Sequence, residues 1–172
     1  MKEYKVLIVG DSGVGKTSCV LQLVCGLFEE YDMDMNEEFE KVLEFNDEPC
    51  LLHILGDSRT SEFSLSHEAK LREYEGFIIM FSLIDRDSFN NVTMYSTQIN
   101  RLKNDMNTPI ILVGNKCDLT RNRDVENIEI NDICIVWGCK YVEISARENI
   151  NVEKAFITLI EVISKSFTDR NK

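Results

Sequence analysis

The run Val6-Leu7-Ile8-Val9-Gly10-Asp11-Ser12-Gly13-Val14-Gly15-Lys16-Thr17-Ser18-Cys19-Val20-Leu21-Gln22-Leu23 passes from an apolar segment, through a glycine-rich turn, into a helix-like segment. Its middle fits G-x-x-x-x-G-K-[ST] from Gly10 to Thr17. Glycines let the backbone take positive φ and aim several N–H groups inward, so a nest of partial positive charge forms at a helix N-terminus. Polyphosphate is the ligand such a nest favours. The candidate phosphate-binding residues are Ser12, Gly13, Val14, Gly15, Lys16, Thr17 and Ser18; Lys16 would reach the β- and γ-phosphates, and the Thr17 hydroxyl would ligate Mg²⁺. A strand before the motif and a helix after it supply the context the motif requires.

Outward from this turn, short apolar runs alternate with amphipathic stretches, the pattern of βαβ units wound into a parallel sheet. Strands are expected at Tyr4–Val9, Gly76–Leu83, Pro109–Gly114 and Lys140–Ile144. Helices are expected at Lys16 to about Cys25, Asp85 to about Asn104, Val125–Trp137 and Val152–Ser166. Glu37–Phe45 and Cys50–Leu55, separated by the turn residues Asn46-Asp47, read as a β-hairpin that adds one antiparallel edge. The expected fold is α/β: a six-stranded, mostly parallel sheet with one antiparallel edge strand and about five helices, in a single domain over residues 1–172.

Ligands of such sheets lie beyond the C-terminal ends of the strands. Two further motifs follow strands: Asn115-Lys116-Cys117-Asp118, and Ser145-Ala146-Arg147. The Asp118 carboxylate can accept from both N1–H and the 2-amino group of guanine, donors that adenine does not present together. The Lys116 stem would pack over the purine, with Phe28 leaning on the other face.

With these residues the chain resembles the Ras superfamily of small GTPases from Lys5 to about Ile163. The phosphate loop is similar to that of the Rab branch, whereas Leu51-Leu52-His53-Ile54-Leu55, which lacks a tryptophan, is closer to Ras. The resemblance implies a P-loop G-domain that binds GTP and GDP with Mg²⁺ and cycles between two conformations read by protein effectors. It also implies that the Ala146 N–H meets the guanine O6. A P-loop kinase or ATPase is the remaining alternative, and it would lack N-K-x-D.

Two family features are missing. Between Ser18 and Ser58 there is no serine or threonine, so Asp34 or Met35 stands where the first switch loop carries a Mg²⁺-binding threonine. Gly56-Asp57-Ser58-Arg59-Thr60 occupies the place of Asp-x-x-Gly-Gln in the second switch. Thr60 therefore replaces the glutamine that orients the attacking water. Arg59 replaces the glycine, and either contacts the phosphates or belongs to an ordinary polar loop. Two readings stay open: a switch with impaired GTP hydrolysis, or a pseudo-GTPase that binds guanine nucleotide constitutively and docks a partner.

Charge narrows the partners. Of 172 residues, 30 are acidic and 19 basic, for a formal net charge of −11, which argues against sequence-independent nucleic-acid binding. Ten carboxylates and one lysine fall between Glu29 and Glu48, either a solvated edge or a dock for a basic protein. No apolar stretch is long enough to span a bilayer, and no cysteine follows Cys139 to take a lipid. The expectation is a cytoplasmic protein, peripheral to a vesicle or plasma membrane if it is part of a longer chain. The six cysteines show no C-x-x-C spacing and are expected to be reduced thiols without zinc.

Overall fold

A computed structural model describes residues 1–29, 38–56, 68–69 and 71–172. In chain order the elements are β1 (Lys2–Val9), α1 (Lys16–Cys25), β2 (Glu38–Phe45), β3 (Glu48–Gly56), β4 (Gly76–Ser82), α2 (Arg86–Asn90), α3 (Val92–Lys103), β5 (Ile110–Asn115), α4 (Asn127–Trp137), β6 (Lys140–Glu143) and α5 (Val152–Arg170), with a 3-10 turn at Thr120–Asn122. The sheet order is β2-β3-β1-β4-β5-β6, parallel throughout except for antiparallel β2. This is the expected six-stranded α/β fold.

Period-2 alternation explains how the central strands hold helices on both faces. In β1 the side chains of Tyr4, Val6 and Ile8 face the layer that contains α1 and α5, while Leu7 and Val9 face the layer of α2, α3 and α4. In β4, Ile78 and Met80 take the first side, and Phe77, Ile79 and Phe81 the second. Every residue of β4 is buried. Each large apolar side chain removed from water there contributes about 1.5–3 kcal/mol.

The hairpin forms as its turn predicts. Asn46 and Asp47 both have positive φ (55° and 62°), the backbone of a two-residue type I′ turn, and Phe45 pairs with Glu48. β2 is the sheet edge, and its alternate positions Glu38, Glu40 and Glu44 are exposed, which discourages pairing with a further strand.

The helix boundaries differ from expectation in three places. The single helix expected over Asp85–Asn104 is interrupted at Asn91, which caps α2 and precedes α3 while its side chain is drawn to Asp11. Its start is as read: Asp85 Oδ1 accepts from the N–H groups of Asp87 and Ser88, at 3.1 and 3.3 Å. Helix α4 begins at Asn127 rather than Val125, because the Val125 N–H is taken by the Leu83 carbonyl and its side chain is buried. Helix α5 continues to Arg170, past Ser166, where Arg170 pairs with Asp105.

One charge pair links the loops at the ligand end of the sheet. Arg86 grips Glu129 with two bonds, Nη1 to Oε1 at 2.5 Å and Nη2 to Oε2 at 3.0 Å, and Glu129 also accepts the Glu126 N–H in a capping box. The hydrogen bond from Arg86, then the one from the Glu126 backbone, hold the Glu129 carboxyl down to about 2 from 4.5. A depressed folded-state pKa contributes stability that is complete above about pH 4.5 and is lost as pH falls toward 2. Glu129→Gln should therefore be less stable than the parent at pH 6, and the gap should close between pH 4.5 and 2. Thermal melts of both proteins across that window check this; a gap that does not change with pH contradicts it.

Candidate functional site

The phosphate loop is shaped by its glycines. Gly10, Gly13 and Gly15 have φ of 155°, 83° and 99°, and Gly15 turns the chain into α1. A Cβ on Gly15 would lie 2.2 Å from Asn115 Nδ2, so the loop and the N-K-x-D segment are in close contact here. Lys16, buried, donates to the carbonyls of Gly10 (2.6 Å) and Asp11 (2.9 Å), which holds its ammonium across the mouth of the loop. Thr17 and Ser18 are buried in the first turn of α1, and Ser18 Oγ donates to the Glu29 carbonyl at 2.6 Å. That bond fixes the segment carrying Phe28. The Arg147 guanidinium lies 5.9 Å from the Phe28 ring centroid, so ring and cation together form one flank.

Asn115 organises the rest. Its buried side chain donates through Nδ2 to the Val14 carbonyl at 2.9 Å. Its Oδ1 accepts from the N–H groups of Lys116 (2.7 Å) and Ala146 (3.1 Å). One amide thus joins the loops after β1, β5 and β6. Lys116, at φ +70°, reaches back so that Nζ donates to the Gly13 carbonyl at 2.8 Å. The fully buried Ser145 donates from Oγ to Asp118 Oδ1 at 2.8 Å and accepts the Glu148 N–H at 3.0 Å. A carboxylate offers about four acceptor positions, so Asp118 keeps capacity for a ligand.

These contacts enclose a cleft of about 280 Å³. Gly13, Gly15 and Ser18 line its phosphate-loop end; Asn115, Lys116 and Asp118 line the other, with Ala146, Arg147 and Phe28 beside them. Ser12, Val14, Lys16, Thr17 and Ser145 are not on its wall: the Val14 side chain is wholly in the core and only its carbonyl reaches the site, and Ser145 acts by orienting Asp118. Two apolar wall residues, Ile84 and Leu119, were not singled out in the sequence. Ile84 lies two residues beyond β4 and Leu119 follows Asp118, and that position just past a strand or a site motif is the signal that could have found them.

A second feature not legible in the sequence is the fixing of Asp11. Its carboxylate accepts from Asn91 Nδ2 (2.7 Å) and the Tyr95 hydroxyl (2.8 Å), so the phosphate loop is tied to the junction of α2 and α3. Arg59, Thr60, Asp34, Met35 and Asp57 lie outside the described residues, as do residues 30–37 of the acidic stretch. Of the described residues in that stretch, Glu38–Phe45 form β2 and Asn46-Asp47 its turn, while Glu48 opens β3 and the Glu29 carbonyl accepts from Ser18.

Thr17 offers a hard oxygen at the helix N-terminus, and among the described residues no group of three His, Cys, Asp or Glu side chains could hold a metal by itself. The fit is to Mg²⁺, which keeps water and is commonly held by one or two protein oxygens plus substrate phosphates. His53 lies between Glu3 (3.3 Å) and Glu40 (3.2 Å) across three strands. Among the described residues no helix is long and apolar enough to cross a membrane.

Comparison with known proteins gives two findings. The model of the Ras family matches residues 5–165. The chain is also 38% identical over 166 residues to a Ras-like protein of Laccaria bicolor, an alignment covering 96% of this chain and 79% of that protein.

Proposed function

Since the chain belongs to the Ras family of small GTPases, we propose that it is a guanine-nucleotide switch whose own GTP hydrolysis is slow. The observation that carries the nucleotide reading is the single Asn115 side chain bonded to both the phosphate loop and the Ala146 N–H. It sets a phosphate-binding end and a base-selecting end at a fixed separation. Guanine would place N1–H and its 2-amino group on Asp118 and its O6 toward the Ala146 N–H. The phosphates would sit over residues 12–18, with Mg²⁺ held by their oxygens and Thr17 Oγ; bound there, the metal would neutralise charge on the β- and γ-phosphates.

Slow hydrolysis follows from residue chemistry. Thr60 in place of a glutamine has no amide to donate and accept across the same gap, so the attacking water is poorly oriented. The second reading, constitutive binding without a γ-phosphate response, is favoured by the lack of any serine or threonine between Ser18 and Ser58. The acidic edge, including Glu40, Glu44 and Glu48, is where we place a basic protein partner under either reading.

One pair of assays separates the readings. Single-turnover hydrolysis is expected to run below the roughly 3–5 × 10⁻⁴ s⁻¹ intrinsic rate of Ras. Hydrogen exchange in residues 29–38 and 56–66 is expected to differ between the GDP state and a non-hydrolysable GTP state. A rate at or above that of Ras removes the impaired-hydrolysis claim. Equal affinity for both nucleotides with identical exchange removes the switch, because a ligand that binds two conformations equally shifts neither.

A further inference from the structure

Helix α4 ends in a Schellman motif. Gly138 takes the left-handed conformation (φ 63°), its N–H bonds to the Ile135 carbonyl at 3.3 Å, and the Cys139 N–H bonds to the Cys134 carbonyl at 3.1 Å. In this motif the side chains three residues before the last helical position and just after the glycine meet, and that contact is usually apolar. Here both are cysteines. The motif sets the two thiols side by side, and both are only half-buried. A 3.1 Å backbone bond makes the two residues neighbours in space, as a disulfide, with its Cα separation of roughly 4.4–6.8 Å, requires. No other described pair of cysteines is joined this way, and sequence spacing alone gave no cue, because the pair is separated by four residues rather than two.

We propose that Cys134 and Cys139 are a redox pair that closes reversibly to a disulfide, a modification site at the junction of α4 and β6. The oxidant is hydrogen peroxide. Cys134 is the attacking sulfur: its S–O bond forms as the peroxide O–O bond breaks, water leaves, and a sulfenic acid remains. The Cys139 sulfur then attacks the Cys134 sulfur, the S–S bond forms, the S–O bond breaks, and a second water carries away the Cys139 proton. Two thiols lose two electrons in all, and one peroxide gives two waters; a dithiol reductant reverses the change.

The order of the two steps has a physical basis. Burial pushes both thiols up, Cys139 to about 12, but the hydrogen bond from Cys139 works in the lowering direction on Cys134. Cys139, pushed up further by its burial, is assigned the resolving role, and the two single-cysteine variants test that assignment. Because both are raised, closure is slow compared with that of an exposed, activated thiol. The bridge would clamp the end of α4 to the first residue before β6, whose strand leads to Ser145 and Ala146.

The test uses the full chain with GDP, treated with hydrogen peroxide, quenched with N-ethylmaleimide and cleaved by trypsin. Residues 124–140 form one tryptic peptide holding both cysteines. The expected product is that peptide unlabelled and lighter by two hydrogens than its reduced form, restored by dithiothreitol. Trp137, the chain's single tryptophan, lies inside the bridged loop, so its fluorescence should fall and recover in step. Cys139→Ser should leave a sulfenic acid on Cys134 that dimedone traps; Cys134→Ser should leave Cys139 reactive to maleimide after unfolding. The proposal is overturned if both cysteines stay fully labelled at peroxide levels that oxidise the exposed Cys25, or if the peptide gains oxygen without bridging.

Discussion

Asp118→Ala should weaken GDP binding by roughly 10²- to 10⁴-fold while leaving the fold intact. The carboxylate sits at the wall of the cleft, held by the Ser145 hydroxyl at 2.8 Å. Two hydrogen bonds from guanine to a charged acceptor contribute about 1.5–3 kcal/mol each, and their sum converts to that range. The effect should be specific to the base. Inosine diphosphate lacks the 2-amino group, so the parent protein should prefer GDP to it, and Asp118→Ala should bind the two alike. Ser145→Ala should move affinity in the same direction by less, because it disturbs the orientation of Asp118 and not its charge. Titration calorimetry with both nucleotides measures all of this. An Asp118→Ala protein that binds GDP as tightly as the parent, or keeps its preference over inosine diphosphate, contradicts the assignment.

Gly10→Ala should cost about 2–6 kcal/mol of folding stability. A Cβ there would lie 2.2 Å from the Met80 carbonyl oxygen and 3.2 Å from its carbon, with Val14 Cγ2 at 3.3 Å. Met80 is buried in β4 and paired with Val113 of β5, so it belongs to the least yielding part of the sheet. Overpacking costs about 1–3 kcal/mol, and strained backbone adds about 1–3 kcal/mol for a non-glycine residue at φ +155°. Gly26→Ala is the control: φ is +66°, but nothing lies within 4 Å of the added carbon, so only the left-handed backbone is strained, at about 1–2 kcal/mol. Urea unfolding should show a lower midpoint for Gly10→Ala than for Gly26→Ala at similar slope. Equal midpoints would mean that the loop yields where the geometry says it cannot.

The parts of the fold that were readable from residues are those set by local rules. The phosphate loop between β1 and α1, the Asn46-Asp47 turn and the wholly apolar β4 each depend on a few neighbouring side chains, and each forms as read. What was not readable depends on long-range contact. Nothing near Asn91 announces a break in a helix; the cause is Asp11, far away in sequence, whose carboxylate draws both Asn91 and Tyr95.

The candidate site divides in the same way. N-K-x-D and Ser145-Ala146 are recognisable as motifs, but their assembly by Asn115 is a three-loop contact that only the fold creates. Val14 lies inside the motif with its side chain in the core and its carbonyl on Asn115, a division between side chain and backbone that the motif alone does not show. The thiol pair at the end of α4 was missed because its spacing is that of a helix cap and not of a familiar redox or metal motif.

If the cleft between the phosphate loop and Asp118 holds a guanine nucleotide, the protein should carry one out of the cell. The direct measurement is to purify the protein with no nucleotide added, unfold it, and identify the released small molecule by ion-exchange chromatography and mass. Guanosine diphosphate or triphosphate in near-equal amount to the protein is expected; an adenine nucleotide, or none, would overturn the assignment of the cleft.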